Sequence, residues 1–348
     1  MKALVLEEAG PRPLLVQRDV PNPGDTLAPD QVLIAVQACG FCRHDLLVIQ
    51  GVLRRGVRLP LVLGHEIAGR VADMGPDVTG LSVGDAVVCL PNDVCGRCQP
   101  CLQGQHHRCL DRRALGHGVP GGLAEYVKVR RASLVPVPKS VPWEQACLLA
   151  CPVGVALRAV REAASLQPSQ TAVVTGAGGG LGTSLVQAAK LHGARVLAVT
   201  SSTDKEDALQ SLGADHVIVT GELDFSQVVL ALTEDAGADV VLDTVGAALF
   251  PQSLRSLSQF GRWVVLGETT GESVSLNLAE LLFRNATVTG VTGTNRVMVE
   301  EAVRLAESDA LRPVVHRQMP WDQITEAASL LHDRQVLGRI VLRPPTPQ

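Results

Sequence analysis

Thr171-Ala172-Val173-Val174-Thr175-Gly176-Ala177-Gly178-Gly179-Gly180-Leu181-Gly182 is the stretch on which the reading of the fold turns. A continuous apolar run reads as a buried strand, the glycines as a tight turn, and the residues from about Gly182 to His192 as a helix. Glycines let a backbone approach a pyrophosphate, and a helix N-terminus offers free N–H groups and a positive dipole end. A glycine triplet alone says little; between a strand and a helix it points to a dinucleotide. Ala177 stands where the first glycine of such a turn usually lies. Gly179 and Gly182 are therefore its firmer members, with Gly176, Gly178, Gly180 and Leu181 completing it.

Downstream, Arg195–Val199 is a second buried strand, followed by Val217–Val219, Val240–Asp243, Trp263–Leu266 and Val288–Val291, with helical segments between. Six strands alternating with helices describe an α/β fold with a Rossmann-type, doubly wound parallel sheet. An acidic residue at the end of the second strand would hold the ribose diol of NAD. Thr200 occupies that place, and Ser201, Ser202 and Lys205 can donate to a phosphate, so the charge pattern favours NADP over NAD. The competing reading is that the serines only cap the next helix.

The pattern differs on both sides of this region. The first 150 residues hold short β-type runs such as Val32–Val36 and Ala86–Leu90, with prolines at 11, 13, 21, 23, 29, 60, 76, 91 and 100. From about Asn295 come a helix near Met298–Ser308, the segment Pro313–Val315, a helix near Trp321–Arg334 and a strand Arg339–Leu342. The expected division is a catalytic domain over 1–152, a nucleotide-binding domain over 153–296, and a return to the first domain over 297–348.

Four of the nine cysteines fall in Cys95-x2-Cys98-x2-Cys101-x7-Cys109. Four thiolates at short spacing close a tetrahedral zinc shell, and a closed shell holds a loop without doing chemistry. His106 and His107, in the same loop, are rival ligands or, on the simpler reading, solvated loop residues. A catalytic zinc needs three ligands and an open position. Its candidates lie in Cys39-Gly40-Phe41-Cys42-Arg43-His44-Asp45, Gly64-His65-Glu66 and Ala150-Cys151-Pro152. Taken singly, His65 reads as a core histidine and Cys151 as an apolar filler.

The chain carries 31 basic and 35 acidic residues, for a net charge of −4, with 46% apolar residues. No basic surplus points to nucleic acid. The apolar stretch Cys147–Leu157 is too short to span a bilayer, and Met1–Val5 does not open a signal peptide. A cytoplasmic enzyme with a small-molecule substrate is expected.

Together, Gly64-His65-Glu66-x2-Gly69-x5-Gly75-x2-Val78 and the four-cysteine segment resemble the zinc-containing medium-chain alcohol dehydrogenases, along essentially the whole chain. The resemblance implies a GroES-like, partly open β-barrel catalytic domain beside the Rossmann domain. It implies Cys42, His65 and Cys151 as catalytic zinc ligands, Glu66 as a nearby or alternate ligand, and Asp45 as the acceptor that orients His65. Cys39, Cys89 and Cys147 are left to packing. Arg43 and Arg339 are implied as partners of the pyrophosphate. A homodimer or homotetramer through the sheet edge near Val288–Val291 is also implied. The family's relay hydroxyl is replaced here by His44, its relay histidine by Leu47, and a threonine near the nicotinamide by Val155. Two readings follow. Either His44 is the proton relay for alcohol and carbonyl chemistry, or the substrate is an activated alkene. The second reading rests on Arg43–Leu47 and Val174–Gly182, which also look like zinc-binding acryloyl-coenzyme A reductases.

Overall fold

The structure is a computed structural model and describes residues 1–221 and 223–345. The chain forms two compact units, residues 1–154 with 293–348, and residues 155–292.

In the first unit, the long strand Gln31–Phe41 is the axis. It pairs antiparallel with Glu66–Met74, Tyr126–Arg130 and the C-terminal strand Arg339–Arg343. Ala86–Cys89 and Leu134–Pro136 extend this seven-stranded sheet on one side, and Val315–Pro320 on the other. A smaller antiparallel sheet is built from Lys2–Glu8, Leu14–Asp19 and Leu61–Val62. The shared core includes Leu6, Ile34, Phe41, Leu63, Ile67, Leu134 and Trp321, all buried. Of the segment Pro313–Val315, only Val315 enters a strand, which runs on to Pro320. Pro313 brings no N–H to a ladder, so pairing starts after it.

The second unit is a six-stranded parallel sheet. Numbered within the unit, its strands are Thr171–Thr175, Arg195–Thr200, His216–Val219, Ala238–Asp243, Leu257–Val265 and Thr287–Gly290, and they lie in the order 3-2-1-4-5-6. This is the Rossmann arrangement, whose topological switch point falls between the first and fourth strands. The sheet interior is aliphatic because helices cover both faces. On the helix Gly180–Leu191, Leu185, Val186, Ala188 and Ala189 are completely buried, and each large side chain contributes about 1.5–3 kcal/mol. The fifth strand starts six residues earlier than the apolar run at Trp263 suggests. Its first half carries Ser258, Gln259 and Phe260, the last with φ +61, and an irregular register opposite Ala238–Val240. That bulge hides the strand from a periodicity reading. Among the described residues, no helix is long and apolar enough to cross a membrane.

Candidate active site and metal centres

The first site is built where two paired strands end together. Gly40 lies opposite Glu66 in the ladder, so Cys42, just past one strand, and His65, just before the other, come together. A Cβ at Gly40 would overlap the Glu66 carboxylate, so glycine is needed there. Cys42 caps the helix Arg43–Ile49, whose third residue is Asp45. Asp45 is completely buried; its Oδ2 accepts from Cys42 N–H at 3.0 Å. Its Oδ1 faces His65 Nδ1 at 3.6 Å. Cys151 arrives on a π-helical turn, Leu149–Val153, that contains Pro152; such turns recur at functional sites.

His65 Nε2 lies 3.7 Å from Cys42 Sγ and 3.6 Å from Cys151 Sγ. Two thiols and an imidazole thus converge, with the second ring nitrogen turned to a carboxylate. Burial, then the Asp45 carboxylate, pushes the Cys42 thiol up to about 11, and burial likewise raises Cys151. Burial lowers the His65 imidazole, but the Cys42 thiol and Asp45 outweigh it and hold it well above its ordinary value. Burial would raise Asp45, yet His65 pulls it well below the usual carboxylate range. A soft divalent cation resolves this frustration, because it stabilises both thiolates at a neutral imidazole. The donor set fits zinc.

Glu66 is completely buried, and its carboxylate is one of the donors near His65 and Cys151. It also meets Arg339 Nη2 at 3.0 Å. Arg339 is almost fully buried, and this contact with Glu66 is what the structure gives its guanidinium. Arg43 donates to Leu331 O at 3.4 Å and is half-buried. His44 stands edge-on to His65, with ring centroids 5.2 Å apart. Burial, then the positive charge on His65, lowers the His44 imidazole to about 4. Cys39, Cys89 and Cys147 are buried packing residues.

In the second cluster, the sulfurs of Cys95, Cys98, Cys101 and Cys109 lie within 4.8 Å of one another. Backbone N–H groups donate to them: Cys98 N to Cys95 Sγ at 3.4 Å, and Cys95 N to Cys109 Sγ at 3.3 Å. Backbone donors from Leu110 and Cys101 pull the Cys98 thiol down to about 6. At Cys98 these N–H groups favour the thiolate, the form a metal needs, whereas burial raises the Cys101 and Cys109 thiols. Gly96 has φ +69, which lets the chain double back between the first two cysteines. His106 departs from the sequence reading: it is buried, with Nδ1 3.1 Å from Gly104 O, and is not a solvated loop residue. One charged residue missed by the sequence reading holds both ends of the loop. Arg130 Nε donates to Asp93 at 2.9 Å and Nη1 to Asp111 at 2.8 Å.

In the second unit, the glycine turn follows the first strand of the parallel sheet. Gly176 has φ +60, and a Cβ at Gly182 would overlap Gly176 O, so both positions require glycine. Gly179 caps the helix that begins with Gly180, Leu181 and Gly182. A Cβ at Gly178 would lie 2.6 Å from Lys205 Cδ and 3.6 Å from its Nζ, so the lysine lies across the turn. Thr200 ends the second strand and is buried; Ser201 is exposed, and Ser202 donates to the Asp204 carboxylate. At the switch point the buried Asp243 accepts from Thr175 Oγ1 at 2.6 Å and Trp263 Nε1 at 3.1 Å.

The alcohol dehydrogenase GroES-like domain matches residues 28–139, and the zinc-binding dehydrogenase domain matches residues 180–308. An acryloyl-coenzyme A reductase of Sulfurisphaera tokodaii is 31% identical, over 99% of this chain and 100% of its own length. An NAD-dependent alcohol dehydrogenase of Saccharolobus solfataricus is 34% identical, again over 99% and 100%. The crystal structure of AibC, 38% identical, superposes with a TM-score of 0.89, covering 99% of this chain and 96% of AibC. This chain belongs to the zinc-containing medium-chain alcohol dehydrogenase family. It is therefore a zinc-dependent oxidoreductase that works with a nicotinamide dinucleotide.

Proposed function

We propose that this dehydrogenase-family chain exchanges hydride between NADP(H) and the oxygen-bearing carbon of a small alcohol, aldehyde or ketone. The observation that carries the reading is the convergence of Cys42, His65 and Cys151, three donors where a closed structural site uses four. These three would hold the catalytic zinc, with Glu66 as an alternate carboxylate donor, and Cys95, Cys98, Cys101 and Cys109 would hold a structural one. Zinc bound at the three-donor site supplies a Lewis acid for a substrate oxygen, and the nicotinamide supplies or takes the hydride. Asp45 orients His65 through Nδ1. His44, beside His65, moves the proton that leaves or joins the substrate oxygen.

The turn Gly176–Gly182 would cradle the pyrophosphate on the N-terminus of the helix Gly180–Leu191, where N–H groups are unpaired. Arg43 and Arg339 add positive charge for it in this reading. NADP over NAD is supported by Thr200 in the place of an acid and by Lys205, packed across Gly178. Exposed Ser201 is a further donor, whereas the Ser202 hydroxyl, also a candidate in the sequence, is already given to the Asp204 carboxylate. A Thr200→Asp, Lys205→Ala variant should move the kcat/KM ratio toward NADH by tenfold or more, about 1.4 kcal/mol. The parallel sheet's last strand, Thr287–Gly290, is an open edge, and Phe260, Leu278, Leu282 and Phe283 are exposed near it in sequence and sheet. That apolar edge supports a homo-oligomer, and thiols kept for metal support a cytoplasmic setting.

A second reading, NADPH-dependent reduction of an enoyl thioester, is favoured by the similarity to an acryloyl-coenzyme A reductase and by a first helix without a relay hydroxyl. NADPH consumption on two panels, simple aldehydes and ketones against enoyl thioesters, with and without a chelator, separates them. Chelator-sensitive turnover of carbonyls supports the first; turnover confined to enoyl thioesters replaces it with the second.

A further inference from the structure

His117 belongs to none of the motifs above, yet its place is tightly built. It sits in Gly116-His117-Gly118. Gly116 has φ +63, and a Cβ there would lie 2.6 Å from Gly64 N, so this turn is pressed onto the residue before His65. On the other side, Gly56 has φ +86, and a Cβ there would meet His117 Nε2 at 3.4 Å. Gly116 thus seats the turn against Gly64, and Gly56 is the glycine that borders the imidazole. Its Nδ1 is 3.1 Å from His44 Nε2, and its Nε2 is 2.8 Å from Arg55 O. The His44 and His117 centroids are 5.0 Å apart, and His44 in turn stands edge-on to His65.

This chain of contacts has a direction. A backbone carbonyl only accepts, so His117 must donate to Arg55 O through Nε2–H. A neutral imidazole then has its lone pair on Nδ1 and can only accept there. His44 must therefore donate through Nε2–H, which leaves its own lone pair on Nδ1. We propose that His117 is a positioning residue that holds the His44 ring through the His44 Nε2–H to His117 Nδ1 hydrogen bond, so that His44 keeps one tautomer, with its hydrogen on Nε2 and its lone pair on Nδ1. The proposal rests on the reading of His44 as the relay. The carbonyl of Arg55, 2.8 Å from His117 Nε2, does for this pair what a carboxylate does for a metal-bound histidine: it decides which nitrogen carries hydrogen.

The test uses full-length, zinc-loaded protein with 15N-labelled histidines, whose long-range nitrogen–proton spectra report tautomers directly. Wild type should show His44 protonated at Nε2 and bare at Nδ1. His117→Leu removes the acceptor and should release His44 into a mixture of tautomers. It should also lower kcat at least about tenfold while KM stays within about twofold, the signature of lost proton-transfer geometry. His117→Asn keeps an acceptor oxygen near the Nδ1 position; it should restore the tautomer and bring kcat back to within about threefold of wild type. A wild-type His44 protonated at Nδ1, a tautomer unchanged in His117→Leu, or no rescue by His117→Asn would overturn the proposal. A protein that turns over no carbonyl but shows the expected tautomers contradicts the proposed function and leaves the His44–His117 lock standing. Full carbonyl turnover with the wrong tautomer does the reverse.

Discussion

Asp45 has no exposed surface, and its two oxygens face two different candidate ligands, the Cys42 backbone at 3.0 Å and His65 Nδ1 at 3.6 Å. Replacing it by Asn keeps the shape but loses the charge and puts an amide donor on one side. Asp45→Asn should weaken metal at the three-donor site by roughly 10–100-fold, read by competition with a colorimetric chelator, while the four-cysteine metal stays bound. An unchanged release profile would contradict the role given to Asp45. At this scale the sequence spoke unevenly. Cys42, His65 and Cys151 are far apart in the chain, and only a whole-chain resemblance joins them; singly, His65 and Cys151 read as core. His117 left almost no trace, because its partners, His44 and Arg55, lie 73 and 62 residues away and obey no spacing. The flanking Gly116 and Gly118 were the one local hint.

Two elements depend on carboxylates that hold loops. Arg130, from the strand Tyr126–Arg130, clamps Asp93 and Asp111, two residues before Cys95 and two after Cys109. Asp93 also accepts from Arg130 N at 2.7 Å and Ser133 Oγ at 3.0 Å. Arg130→Ala leaves Asp93 buried without its cation, a cost of about 3–5 kcal/mol. The variant should melt earlier and release the four-cysteine metal first. Melting and metal release at wild-type values would contradict the clamp. Glu268 acts similarly in the second unit. Burial would raise it, but N–H groups of Ala247, Thr270 and Gly271 hold it at about 2, below an ordinary 4.5. A depressed carboxylate stabilises above its unfolded value and loses that contribution as pH falls from about 4.5 toward 2. Hydrogen exchange at Thr270 N–H should therefore be better protected in wild type than in Glu268→Gln, with the gap closing across that window. A gap that stays constant down to pH 2 would contradict this. The four-cysteine spacing announced its loop in the sequence; the clamps did not, since Arg130 lies 37 residues from Asp93 and Ala247 lies 21 from Glu268, and neither separation follows a pattern.

The whole molecule was legible in its parallel half, where a strand–turn–helix repeat with buried strands leaves few topologies. The antiparallel half was legible only as β-rich, because strands such as Leu61–Val62 and Leu134–Pro136 are too short for periodicity to register. The family resemblance supplied its identity. Assembly is a property of this scale as well. Leu282→Glu with Phe283→Asp puts two charges on the exposed face of the helix Leu278–Arg284, and should turn an oligomer into a monomer in size-exclusion chromatography with light scattering. An unchanged elution mass would move the interface elsewhere.

The account stands or falls on two zinc sites with different tasks, and zinc content measured beside turnover tests that directly. Wild type should carry two zinc per chain. Cys151→Ser should carry one and lose turnover, and Cys98→Ser should lose the other while the three-donor site keeps its metal. A Cys151→Ser protein that retains both metals and full activity would contradict the central claim.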